Sequence, residues 1–130
     1  MPTIPENQLF EYAIVRYLPK VEREEFINVG LVMMCKRQKW IRARVRLSEA
    51  KARIFSATDD DIADARAQLT AFSRIAEGTE GGAIAGLDPH ERFRWLTAVR
   101  SACIATSRPH CGKTDDLDGT FERIYHEMVL

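Results

Sequence analysis

The sequence predicts an α+β fold in which helices pack on a mainly antiparallel sheet of about four strands. Three observations predict this class. Strand-like segments fill the first third of the chain, a short connection joins the second and third of them, and the hydrophobic period then changes from two residues to three or four. Because the strands come first and the helices later, we expect the helices on one face of the sheet and no doubly wound parallel fold.

Four segments have the residue pattern of strands. Residues 9–18 are rich in aromatic and β-branched types and stop at a proline. Residues 27–36 are apolar on both faces, which is typical of a central strand covered on both sides. Residues 39–47 alternate strictly between apolar and polar types, and their short connection to the preceding strand predicts an antiparallel hairpin. Residues 102–106 predict a fourth, short strand.

The remaining segments predict helices and loops. A short helix is expected over residues 48–55, and a longer one near 59–77, where a threonine cap precedes three aspartates and an apolar stripe. An aspartate followed by proline predicts a helix near 88–97. Residues 107–118 are interpreted as a polar loop, and the apolar stripe after them predicts a C-terminal helix over 117–130.

The length of 130 residues favours one domain over residues 1–130. With 45% hydrophobic and 29% charged residues, the composition is not that of a disordered chain. The longest nearly uncharged apolar run is about half the length of a membrane-spanning helix. The start of the sequence lacks a signal-peptide pattern, and three scattered cysteines indicate a reducing compartment. We therefore expect a cytoplasmic protein with no membrane partner.

The charges are balanced over the chain but locally segregated. Residues 36–53 carry eight lysines and arginines against a single acid, Glu49. Strand alternation places four of the residues in this region on one face, Trp40, Arg42, Arg44 and Arg46. This basic face is a candidate surface for a protein partner, with nucleic acid as a less favoured alternative. The remaining alternatives are a solvated outer face and a face covered by the acidic helix that starts at Asp59. We expect reversal of the three arginine charges to leave thermal stability largely unchanged.

Signatures of enzyme chemistry are weak in this sequence. Residues 112–114, Gly-Lys-Thr, have the ending of a phosphate-binding P-loop, but Ser107 stands where the motif needs glycine and Pro109 removes a backbone donor. His110 and Cys111 are adjacent, so in an extended segment their side chains point apart, and no metal-ligand spacing occurs. We therefore predict no catalytic residue, no metal and no cofactor, and we favour binding over catalysis.

Two charged clusters remain without an assigned role. Residues 22–25 contain three acids and lead into the central strand near Asn28, while Arg16 stands at the far end of the neighbouring strand. A second group of arginines surrounds Trp95. The clusters either form ion pairs, such as Arg16 or Arg94 with Glu25, or they build an anion-binding pocket.

The residues in and around these clusters resemble the bacterial domain-of-unknown-function family 3037. The resemblance rests on Phe10-Glu-Tyr-Ala-Ile-Val-Arg-Tyr-Leu-Pro19, on residues 22–32, on Arg92-Phe-Arg-Trp-Leu96, and on Ser107-Arg-Pro-His-Cys-Gly112. The resemblance implies a small domain that is often encoded beside a kinase-like protein related to HipA, and it implies no activity. Most of the polar or conformationally special positions shared with the family become candidate ligand-binding residues, namely Arg16, Glu25, Asn28, Arg94, Arg100 and His110; Gly30 and Gly112 are shared as well.

These observations lead to a functional hypothesis with two alternatives. The leading hypothesis is an interaction or regulatory module, with a HipA-like kinase as the partner that the resemblance implies. The first alternative is an enzyme or ligand-binding domain that recognises an anionic, phosphorylated group, with Glu25 as a base. The second alternative is a nucleic-acid-binding protein. For the first alternative to hold, the candidate residues must meet in one cleft.

Overall fold

The computed structural model describes residues 7–79, 82–98 and 102–130. Within them, the chain forms a five-stranded antiparallel sheet and four helices, which confirms the predicted α+β class. The strands are β1 (Gln8–Tyr17), β2 (Ile27–Cys35), β3 (Trp40–Val45), β4 (Ile104–Thr106) and β5 (His110–Thr114). The helices are α1 (Glu49–Ile54), α2 (Asp59–Glu77), α3 (Pro89–Leu96) and α4 (Leu117–Met128), with a 3₁₀ turn at Val21–Arg23. Of the described helices, none has the length and apolarity that crossing a membrane requires.

Strand β2 is the centre of the sheet, as its apolar sequence predicts. It lies between β3 and β1, and eight of its nine residues are buried. The other edge of β1 is shared by β4 and β5, which pair with different halves of it. Ser107 joins these two pairings, because its backbone N–H donates to the Ile14 carbonyl at 2.8 Å and its Oγ accepts from the Ile14 N–H at 2.9 Å.

The expectation of a loop over 107–118 is wrong for β5. His110–Thr114 runs antiparallel to the first half of β1, with His110 opposite Tyr12. The strand lies at the edge of the sheet and its side chains are exposed or half-buried, so its sequence is as polar as that of a loop. Pairing with β1, which no local pattern encodes, makes it a strand.

The helices pack on both faces of the sheet, so the expectation of one covered face is also wrong. One core lies between the sheet and α1, α2 and α3, where Val15 and Val32 meet Phe72 and Phe93. A second core lies on the opposite face, where residues such as Ile14 and Leu31 meet α4. The strands β1 and β2 carry apolar residues on both faces, and α4 covers the face that the other helices leave open.

A β-bulge interrupts the pairing of β1 with β2. Val15 pairs with Gly30, but the next residue, Arg16, pairs with Asn28. A side chain at Gly30 would place its Cβ 2.6 Å from the Arg44 carbonyl oxygen, so only glycine fits beside β3 here. The bulge thereby sets Asn28 opposite Arg16 at the end of the sheet where β1 and β3 stop and β2 begins.

Candidate functional site

The first three residues of the basic face share one side of β3, as predicted, and α4 covers them. Arg42 Nη2 lies 2.7 Å from Asp118 Oδ1. Arg44 donates two hydrogen bonds to the Glu122 carboxylate, at 2.8 and 2.7 Å. The Arg44 guanidinium also lies 5.2 Å from the ring centre of Phe121, and Trp40 packs edge-on against the same ring. The face is therefore in large part an internal contact.

This contact differs from the expectation for the basic face in the helix that covers the face and in the position of Arg46. The acidic helix that covers it is α4, not the helix that starts at Asp59. The contact also perturbs the ionisation of its members, since the hydrogen bonds from Arg44 lower the pKa of Glu122 and those to Glu122 raise the pKa of Arg44. Arg46 is different, because it follows the last residue of β3 and has no ion pair within residues 7–79, 82–98 and 102–130.

The proposed anion pocket does not assemble from all six candidate residues. Arg94 makes a two-pronged ion pair with Glu11, which faces the core under α1, α2 and α3 because it pairs with Met34. His110 lies on the other face, its ring 5.3 Å from that of Tyr12. The expected meeting of Arg94 with His110 is therefore wrong, because the sheet lies between them.

Glu25 and Arg100 are two further candidates for this pocket. Glu25 pairs with Arg23 at 2.5 Å, two residues away, instead of with Arg16 or Arg94. Arg100 lies outside the residues that the structure describes.

Arg16 and Asn28 do come together, as cross-strand neighbours at the bulge. The Arg16 guanidinium lies over the Phe26 ring, 4.1 Å from its centre. Asn28 Nδ2 donates to the Met128 carbonyl at 3.0 Å, which holds the end of α4 against β2. Arg16 Nε and Asn28 Oδ1 are both buried, and neither has a hydrogen-bond partner among the residues that the structure describes. An unpaired donor and an unpaired acceptor in the described chain therefore lie on two residues that face each other across β1 and β2.

A cleft of about 270 Å³ opens beside Asn28. Its other lining residues come from the segment after β3, from α1 and from the end of the chain: Arg46, Ser48, Lys51, Val129 and Leu130. Ser48 caps α1 by accepting a hydrogen bond from the Lys51 N–H at 3.3 Å. Sequence reasoning missed Ser48 and Lys51, although the excess of cations in residues 36–53 was a signal for Lys51.

Exposed apolar side chains gather at the same end of the sheet. Six large hydrophobic residues of the described chain are exposed, and four of them lie here: Phe26 at 43%, Ile54 at 78%, Met128 at 42% and Leu130 at 55%. Phe26 precedes β2, Ile54 ends α1, and the other two end α4. We call this surface the apolar–basic end and define it by eight residues, Arg16, Phe26, Asn28, Arg46, Lys51, Ile54, Met128 and Leu130.

Other parts of the described chain offer less chemistry. No group of three metal-ligating side chains occurs in the part that the structure describes. The P-loop-like residues 112–114 belong to β5 and pair with β1, so their backbone does not wrap around a phosphate. Another cleft, of about 410 Å³, is lined by three aspartates, but Asp116 caps α4 and Asp118 pairs with Arg42.

Comparison with known proteins gives a family and no activity. No curated protein and no solved structure matches the chain. The family model described as "Protein of unknown function (DUF3037)" matches residues 12–129, which include β1 from Tyr12 on, the other four strands, all four helices and every residue of the apolar–basic end except Leu130. The match covers nearly the whole chain, and the protein therefore belongs to the DUF3037 family.

Proposed function

We propose that this protein is an interaction module that regulates or assists a protein partner, and that it binds the partner through its apolar–basic end. The observation that carries the proposal is the gathering of exposed apolar side chains beside cations that have no ion pair in the described chain. Single exposed hydrophobic residues are ordinary on a protein surface, but a group of them bordered by charge is typical of an interaction site.

The charges at this end favour a partner segment that combines apolar with acidic or other anionic groups. Two of the nearby acids are already paired, Glu25 with Arg23 and Asp59 with Arg53, both at 2.5 Å. Arg46 and Lys51 have no ion pair in the described chain, so their positive charge is available to a partner. In such a contact the apolar side chains supply most of the affinity, and the cations orient the partner and reject cationic competitors.

The two alternatives have unequal support. The nucleic-acid alternative depended on Arg42 and Arg44, which are occupied by Asp118 and Glu122. The anion-binding alternative keeps Arg16 and Asn28, and the cleft beside them extends it. The resemblance to the family implies a neighbouring kinase-like protein related to HipA, which makes that protein the first partner to test.

The test is co-expression with the neighbouring HipA-like protein, followed by gel filtration. We expect a stable complex, and we expect the double variant Ile54→Gln/Lys51→Gln to weaken it. The matched control is Leu9→Gln/Lys113→Gln, which removes one exposed leucine and one lysine from a cross-strand pair at the other end of β1. The control variant should bind like the unaltered protein.

Three outcomes contradict the proposal. Equal weakening by both double variants rejects the apolar–basic end as the binding surface. Separate migration of the two proteins, with the kinase-like protein's activity unaffected, rejects the partner. Binding to anionic phosphatidylserine vesicles without any protein complex replaces the protein partner with a lipid surface.

A further inference from the structure

The cleft at the apolar–basic end is lined by hydrogen-bond donors, and we propose that it binds a phosphate-type oxyanion. Arg46 offers a planar fork of N–H groups and Lys51 an ammonium group. Ser48 Oγ accepts a hydrogen bond from the Lys51 N–H, so its own hydroxyl hydrogen remains free to donate. A phosphate has enough acceptor oxygens to receive all three groups at once, and charge-assisted bonds of this kind are the strong ones.

The side chains that line the cleft carry two positive charges, those of Arg46 and Lys51. None of the lining side chains is acidic. Glu49, which is next to Ser48, pairs with Arg66 at 2.8 Å. The volume of about 270 Å³ is also sufficient, because a water molecule's share of liquid volume is about 30 Å³ and a phosphate is only a few times larger.

Asn28 forms one wall of the cleft. The Met128 carbonyl accepts from Asn28 Nδ2 at 3.0 Å, so this bond fixes the side-chain amide and holds the end of α4 beside the cleft. The Asn28 side-chain amide is therefore a fixed reporter of an oxyanion that enters the cleft.

The phosphate group has two sources, free phosphate or a phosphorylated side chain of the partner. Only the second source rests on the proposed function above. Both present the same chemistry to the cleft, and the experiment separates them.

The experiment is titration of the full chain with inorganic phosphate and with sulfate at pH 7.5 and fixed ionic strength, followed by NMR and calorimetry. We expect phosphate to shift the Asn28 side-chain amide and the backbone amides of Arg46 and Lys51. Sulfate presents the same tetrahedral set of acceptor oxygens, so it should shift the same amides. Arg46→Gln/Lys51→Gln should weaken phosphate binding by at least about tenfold. The charge-matched control, Arg108→Gln/Lys113→Gln, should change neither affinity, and circular dichroism verifies that each variant folds.

Several results overturn the site. Equal weakening by the control variant means that a diffuse positive surface attracts anions. Absence of shifts at Asn28, Arg46 and Lys51 at saturating phosphate rejects the site outright, even if the partner complex forms. If phosphate binds and no complex forms, the site stands and the proposed partner function fails. A phosphoserine peptide that binds more tightly than phosphate identifies the partner as the source, and the opposite order identifies free phosphate.

Discussion

Arg44 and Arg46 come from the same alternating stretch of sequence, yet they belong to two different regions of the molecule. Arg44 lies under α4 and is paired with Glu122, whereas Arg46 lines an open cleft. Acids four residues apart on a helix are about 6 Å apart along its axis, and strand residues two apart are about 6.7 Å apart. The spacing of Asp118 and Glu122 therefore matches that of Arg42 and Arg44. The next residue at this helical spacing is His126, which carries no negative charge.

The difference shows that a repeated residue type does not have a repeated role. An arginine opposite an acid of α4 contributes to the fold, and the arginine beyond the last acid has no ion pair in the described chain. Substitutions at Gly30, at Arg44 and Arg46, and at Glu122 test this difference.

The largest effect is expected from Gly30→Ala, at the boundary between the two regions. The new Cβ would lie 2.6 Å from the Arg44 carbonyl oxygen and 2.9 Å from Val45 Cγ1, so β3 must move away from β2. We expect a loss of about 2 kcal/mol in the free energy of unfolding, measured by urea denaturation. The control is Gly86→Ala, where the nearest atom would be 3.6 Å away. Equal stability of the two variants would show that β3 is not held closely at the bulge.

A smaller effect is expected from charge reversal at the two arginines. Arg44→Glu replaces an ion pair with two facing carboxylates and removes the contact with the Phe121 ring, so we expect a loss of about 1–2 kcal/mol. Arg46→Glu should change stability by less than about 0.5 kcal/mol. This revises the expectation from sequence that reversal of all three arginines leaves stability unchanged.

The double variant Arg44→Glu/Glu122→Arg separates the ion pair from other effects of the substitution. It restores opposite charges with the partners exchanged, so it should recover part of the lost stability. No recovery, together with an equal loss from Arg46→Glu, would contradict the distinction between a paired and an open region.

Much of the fold follows from local patterns. The threonine cap at Thr58, the three aspartates after it and the apolar stripe predicted α2 with its observed bounds, and in the structure the cap is a capping box with Asp61. Strict alternation predicted which residues of β3 share a face. In both cases the determining residues are close together in sequence, so a pattern contains the necessary information.

The missed features depend on segments that are far apart in sequence. Strand β5 exists because β1 offers it a free edge, and α4 covers the second face because the first is already filled. The cleft forms where Asn28, Ser48 and Leu130 meet, and Ser48 alone reads as an ordinary helix cap. The resemblance to the family included Arg16 and Asn28 among six candidates, two residues that the structure places opposite each other, but it gave no indication that the sheet separates Arg94 from His110.

The smallest effect is expected from acid, and it concerns only the paired region. Hydrogen bonds from Arg44 hold the pKa of Glu122 below its usual value of 4.5. A carboxyl with a lowered pKa in the folded state stabilises the protein above pH 4.5, and this contribution is lost as the pH falls through the lowered value. The unaltered protein should therefore be more stable than Glu122→Gln near neutral pH, and this difference should shrink on acidification.

Urea denaturation of both proteins across the acid range measures the difference directly. Asp61 also has a lowered pKa, because the Thr58 backbone N–H donates a hydrogen bond to its carboxylate and the Thr58 side chain hydrogen-bonds with it as well, but Asp61 is present in both proteins and cancels in the comparison. The control variant is Glu91→Gln, which removes an acid of α3 outside this contact. A difference between the unaltered protein and Glu122→Gln that stays constant with pH would mean that Glu122 stabilises α4 through packing of its side chain and not through its charge.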